Sequence, residues 1–152
     1  SSAASDVYKR QSQDNPKYAE DVVKAKENIK LYTNNRIAKL QGENDFDGII
    51  AVADEMLAVN PQDALAQKIR LQALFDKKDY AGVIASAEEA AAGQTDEEER
   101  SDVYFILGAA YNARTMPQQA IDALSKVTAG ANVAAAQKTV AQLKENAAKA
   151  NS

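Results

Sequence analysis

The chain has 152 residues, 45% of them hydrophobic and 26% charged, which is enough apolar material for one domain's core and too little chain for two full domains. A net charge of −4 argues against nucleic acid and anionic membrane surfaces as partners. The absence of Cys and His removes thiol nucleophiles, disulfides, imidazole bases and the usual zinc and haem ligands, and no carboxylate spacing typical of a hard-cation site replaces them.

Ser1–Gln11 reads Ser-Ser-Ala-Ala-Ser-Asp-Val-Tyr-Lys-Arg-Gln. Back-translated in one frame, it resembles the adapter of a transposon-based sequencing library. Residues 1–11 are therefore expected to be adapter-derived, with native sequence from near Ser12 and an N-terminal truncation upstream of it. Further repeats are expected in the missing part. From Pro16 to Gly42 no strong breaker interrupts the chain, and Tyr18, Val22, Ile29, Ile37 and Leu40 fit one elongated helix. The alternative is a break near Thr33-Asn34-Asn35. No apolar run reaches bilayer length, so no membrane insertion is expected in this segment.

A repeat follows. Asn44–Ala58 and Lys78–Ala92 match at an offset of 34 residues with seven of fifteen positions identical, among them Asp45/Asp79, Gly48/Gly82 and Ala53/Ala87. A third copy, Gln119–Leu124, comes three residues late, placing Ile121 under Ile50 and Ile84. The extra residues fall within Gln94–Arg100 and are expected to lengthen a surface loop. Each copy reads as a pair of helices. Asp45 and Asp79 are expected to cap the second helices, and Asn60 to cap a helix with Pro61 at its first position. Thr95 with Glu98, and Thr115 with Gln118, have capping-box spacing. The acidic run Asp96–Glu99 reads as a solvated helix start. After Gly130, Asn132 can cap a final helix that turns Val133, Val140 and Leu143 inward and Gln137, Lys138, Gln142, Lys144 and Glu145 outward.

Tyr104, Leu107, Gly108, Tyr111 and Ala120, with Pro61, Phe46 and Tyr80, resemble the tetratricopeptide-repeat pattern over about Lys30–Thr128. The pattern is broken where Ile37 and Leu71 stand in place of Gly108, and Arg36 and Arg70 in place of Leu107, so the register of the earlier first helices is set less firmly. The resemblance implies an all-α, right-handed α-solenoid of about three helical hairpins with a C-terminal capping helix. Residues 16–60 would form the elongated helix and first repeat, 61–94 the second, 95–130 the third and 131–149 the cap, within one domain over 12–152.

No catalytic constellation is present. Ser86, Ser101 and Ser125 have no His partner, and Ser125-Lys126 are neighbours that point about 100° apart on a helix. The pairs Asp54/Glu55 and Glu88/Glu89 read as a solvated face, and no Gly-rich phosphate loop exists. Neither an enzyme nor a cofactor is expected. The resemblance instead implies partner binding on the concave face, at Leu31, Asn34, Ala38 and Gln41, then Leu65, Lys68, Gln72 and Phe75, then Asp102, Phe105, Ala109 and Asn112. Phe75 and Phe105 either receive partner side chains or pack against the next repeat. The positions matching a chaperone-tail carboxylate clamp are Asn34, Ala38, Ile69, Asp102 and Ile106, and none fits. The expected role is a scaffold for a protein or peptide partner. The alternative is a structural or assembly module of a larger envelope or secretion protein, using stack edges near Tyr18, Val22 and Tyr32 for docking or self-association. A regulatory appendage of an enzyme is a third reading.

Overall fold

A computed structural model describes residues 16–152; the expectations for Ser1–Gln11 and for a native start near Ser12 lie outside the described residues. The described chain is all helical, with seven helices and no strand: α1 (Pro16–Gly42), α2 (Phe46–Val59), α3 (Ala64–Asp76), α4 (Tyr80–Ala92), α5 (Glu97–Ala113), α6 (Pro117–Leu124) and α7 (Val133–Ala150). The chain divides into two compact units, ending and beginning at Glu43 and Asn44.

In the first unit α1 runs for 27 residues without interruption at Thr33-Asn34-Asn35. The polar triplet does not break it because the Thr33 hydroxyl donates to the Ile29 carbonyl, at 2.9 Å, and so competes with no backbone bond outside the helix. Glu20 and Lys24 add an ion pair at helical i,i+4 spacing, 3.0 Å apart. Ile37 is the buried residue of this helix.

In the second unit every helix from α2 to α7 packs on the next, and α3 also packs on α5. One turn recurs. Asn44, Lys78 and Thr115 each hold a left-handed φ, at 55°, 68° and 57°, and each is followed by the residue that opens the next helix. Around Lys78 the Lys77, Lys78 and Asp79 amides donate to Ala73, Phe75 and Leu74 carbonyls; around Thr115 the Arg114, Thr115 and Met116 amides repeat this onto Ala110, Asn112 and Tyr111. Asp45 and Asp79 cap α2 and α4, accepting from the Gly48 and Gly82 amides at 2.9 Å each. The recurring turn fixes the phase of burial: Ile49, Val83 and Ala120 are buried, and so are Ala53, Ala87 and Leu124.

Other helix starts differ from their sequence reading. α3 begins at Ala64, where Asp63 accepts from the Ala66 amide at 3.1 Å, so Pro61 lies in the preceding turn. Asn60 serves that turn instead, its side chain accepting from the Gln62 amide. Asp96, not Thr95, caps α5, through the Glu99 amide at 2.7 Å. Thr115 occupies the left-handed position, and Met116 opens α6 with no side-chain cap and with Pro117 in the first turn.

The extra residues before the third copy are also not a loop. Counted back from the matching turns at Lys77 and Arg114, Ala64 corresponds to Ser101, so Glu97–Arg100 form an additional turn at the start of α5. Four residues are close to one helical turn, which lengthens the helix and leaves its buried face in phase.

The core joins Leu71, Leu74, Val83, Ala87, Val103, Ile106, Leu107 and Ala110. Gly108 sits where a Cβ would lie 2.5 Å from Leu124 Cδ2, so its missing side chain is what lets α5 and α6 approach. Two buried polar groups stitch connections. The Gln94 amide donates to the Ala64 carbonyl at 3.0 Å, and the Ser101 hydroxyl accepts from the Thr128 and Ala129 amides. α7 closes the unit with Ala136 buried, Val133, Val140 and Leu143 half-buried, and Gln137, Lys138, Gln142, Lys144 and Glu145 exposed.

Candidate partner-binding surface

Because α3 lies against α5, positions anticipated as groove residues on the two helices meet. Lys68 Nζ lies 2.6 Å from Glu99 Oε2 and 2.6 Å from Asp102 Oδ2. The other Asp102 oxygen accepts from the Asn132 amide at 3.1 Å, so Asn132 ties the start of α7 to this cluster and makes no cap bond. Partial burial of Lys68 works against its charge, but the hydrogen bonds to Asp102 and Glu99 outweigh that and raise its pKa above the ordinary value. One ammonium between two carboxylates leaves this patch acidic.

The acidic run at the start of α5 is thus more than a solvated helix start. Its extra turn supplies Glu99 to Lys68, and Glu97 accepts from the Thr128 hydroxyl at 2.7 Å. Glu98 lies against Gly130, whose φ of 90° and lack of a side chain admit it. Asp102 was anticipated as a groove residue; Glu99 and Asn132 were not. The signal for Glu99 is a carboxylate three residues before Asp102, on the same face of α5 as the residue that meets Lys68.

Gln72 is exposed and bonds Asp76 on its own helix at 2.9 Å. Phe75 is half-buried, edge-on to Tyr80 with ring centroids 5.5 Å apart, so it packs across the α3–α4 turn. Phe105 is half-buried against the cluster of Leu124, Val127 and Ala136. Each ring therefore has a packing role inside the unit. Leu65 keeps 48% of its surface exposed, and Asn112 is exposed at the edge of a cleft of about 430 Å³ with Leu143 and Asn146. In the first unit, Leu31, Asn34, Ala38 and Gln41 are exposed positions of α1.

A second cleft, of about 300 Å³, lies among α2, α3 and α4. Arg70 crosses it, donating to Asp54 at 2.9 Å and to the Ser86 hydroxyl at 3.4 Å. On α4, Glu88 accepts from the Tyr104 hydroxyl at 3.4 Å. Asp54, Glu55, Glu88 and Glu89 are all exposed, as a solvated face requires, and Asp54 and Glu88 in addition bond neighbouring helices. Among the described residues no group of three or more His, Cys, Asp or Glu is placed to hold a metal ion, and no helix is long and apolar enough to cross a membrane.

No protein-family model matches the chain, and no curated protein matches it.

Proposed function

We propose that the chain is a tetratricopeptide-like scaffold whose first helices bind a peptide or protein partner. In this reading α3–α4 and α5–α6 are successive hairpins of a right-handed solenoid, with α2 closing the first repeat and α7 as its cap. The observation that carries it is the direct packing of α3 on α5, since adjacent first helices are what generate an extended binding face in such arrays. The recurrence of one turn geometry at Asn44, Lys78 and Thr115 supports the repeat assignment independently.

The surface chemistry narrows the partner. Lys68 is already neutralised by Glu99 and Asp102, which favours a segment bearing amides or cations over one ending in a free carboxylate. Leu65 offers apolar area beside this patch, and Asn112 offers hydrogen bonds. Gln72, Phe75 and Phe105 complete the proposed set on this unit, with the two rings shaping the face from their packed positions, and Asn34 and Gln41 are the proposed positions on α1 of the first unit. The test is selection from a displayed peptide library followed by calorimetry. Peptides selected on the protein should bind Leu65→Asp at least about tenfold more weakly, as loss of an interface anchor does. Selected peptides indifferent to Leu65→Asp and to Asn112→Ala would refute this face.

The second reading, a structural module that docks or self-associates through a stack edge, is favoured by one specific observation. Tyr18, Val23, Ile29, Leu31 and Tyr32 are all large, apolar and exposed on α1.

A further inference from the structure

Five apolar residues of α1 line one face, whereas Val23 and Leu31 lie on the opposite side. Tyr18, Val22, Ala25, Ile29 and Tyr32 follow one another at spacings of four, three, four and three residues. At 100° per residue they stay within an arc of about 80°, a continuous seam along the helix. Tyr18, Ile29 and Tyr32 are at least half exposed on it, Ala25 is exposed and Val22 is half-buried. The Glu20–Lys24 ion pair lies on the opposite face and leaves the seam clear.

The residues beside the seam decide what can cover it. In heptad terms Val22 and Ile29 take the a positions, Tyr18, Ala25 and Tyr32 the d positions, Asp21 a g position and Lys26 the following e position. A parallel, in-register copy sets each g residue against the e residue five later on its partner, which places Asp21 opposite Lys26 on both sides of the seam. An antiparallel copy centred on Ala25 sets Lys26 against its own counterpart instead, which is repulsive. At the next pair of flanking positions Asn28 meets Thr33, both polar and uncharged. Beyond Tyr32 the seam positions are Arg36 and Lys39, so like charges would meet and the paired stretch stops at about two heptads.

The geometry points to a second copy of this chain as the occupant, through a short parallel coiled coil of α1 from Tyr18 to Tyr32. The contact leaves α2–α7 unused, so the inference goes beyond peptide binding by α3 and α5 and stands or falls separately from it. A seam of this length gives a weak, concentration-dependent dimer, suited to bringing two binding units together.

Sedimentation equilibrium of the full chain from the micromolar to the millimolar range tests this. The wild type should be a reversible monomer–dimer, and Ile29→Asp, at an exposed site, should be monomeric with the helical far-ultraviolet circular dichroism of the chain retained. Lys26→Asp should weaken the dimer by facing Asp21 with a like charge, and adding Asp21→Lys should restore it. Because the chain has no Cys, Val22→Cys gives a clean readout: parallel in-register pairing forms a disulfide-linked dimer on mild oxidation. A protein that is monomeric throughout overturns the proposal, as does association unaffected by Ile29→Asp. Failure of both the charge exchange and the cross-link in Val22→Cys, with association retained, overturns the parallel arrangement and with it the claim.

Discussion

Leu107 and Gly108 sit at a close approach of α5 and α6. Leu107 is 3% exposed, and its neighbour's absent side chain receives Leu124. Leu107→Ala should lower the unfolding free energy by about 2–5 kcal/mol in urea titration, as buried Leu truncations do; a loss below about 1 kcal/mol would misplace the core. Gly108→Ala forces a methyl against Leu124 and should cost about 1–3 kcal/mol by overpacking. Combining it with Leu124→Ala should cost less than the sum of the single changes, because the same space is being contested. Lys68 makes a different prediction. Its pKa is raised in the folded state, so its contribution is fully present below the unfolded value of 10.5 and is lost as pH rises through the higher folded value. Stability should therefore fall more steeply above pH 10.5 for the wild type than for Lys68→Met. Equal slopes would mean that the clamp with Glu99 and Asp102 contributes nothing.

At the scale of elements, the second helices were legible because an aspartate cap and an apolar phase repeat together. Asp45 and Asp79 are caps in the sequence and caps in the structure. Asp79→Ala should cost about 1 kcal/mol, with the chevron or melting curve as the readout. Lys78→Gly should stabilise by up to about 1 kcal/mol, since glycine relieves the left-handed φ of that turn. The first helices were less legible. Asn60-Pro61 and Thr95 offer good start signals, yet Asp63 and Asp96 lie one to three residues further on and present a carboxylate to the first free amide. Competing caps within one polar stretch cannot be ranked from types alone. The insertion before the third copy misled for a related reason: Gln94–Arg100 looks like loop composition, but Asp96 and the glutamates that follow are also the residues a helix dipole favours at its start. Once Asp96 caps, Glu97–Arg100 become a helical turn, and that turn delivers Glu99 to Lys68.

Across the whole molecule, all-helical architecture was readable from periodicity, and the long α1 was one of two readings left open by Thr33-Asn34-Asn35. Much of the candidate surface was not readable. Lys68 and Asp102 lie on α3 and α5, which pack together, but residue type and spacing do not show whether a neighbour already occupies a side chain. Phe75 and Phe105 illustrate this, each taken up by Tyr80 or by the α6–α7 cluster. Stability should also be uneven along the second unit. α7 has Ala136 as its buried residue, whereas α5 has six, so native-state hydrogen exchange should find the far end of α7 least protected and the centre of α5 most protected.

Whether the adjoining faces of α3 and α5 receive a partner is tested by mapping amide chemical shifts as a selected peptide is titrated into the isotope-labelled protein. The largest changes are expected on Leu65, Lys68, Asp102, Ala109 and Asn112, with α4 and the outer face of α7 little affected. Changes confined to α4, α6 or α7, with α3 and α5 silent, would contradict that expectation.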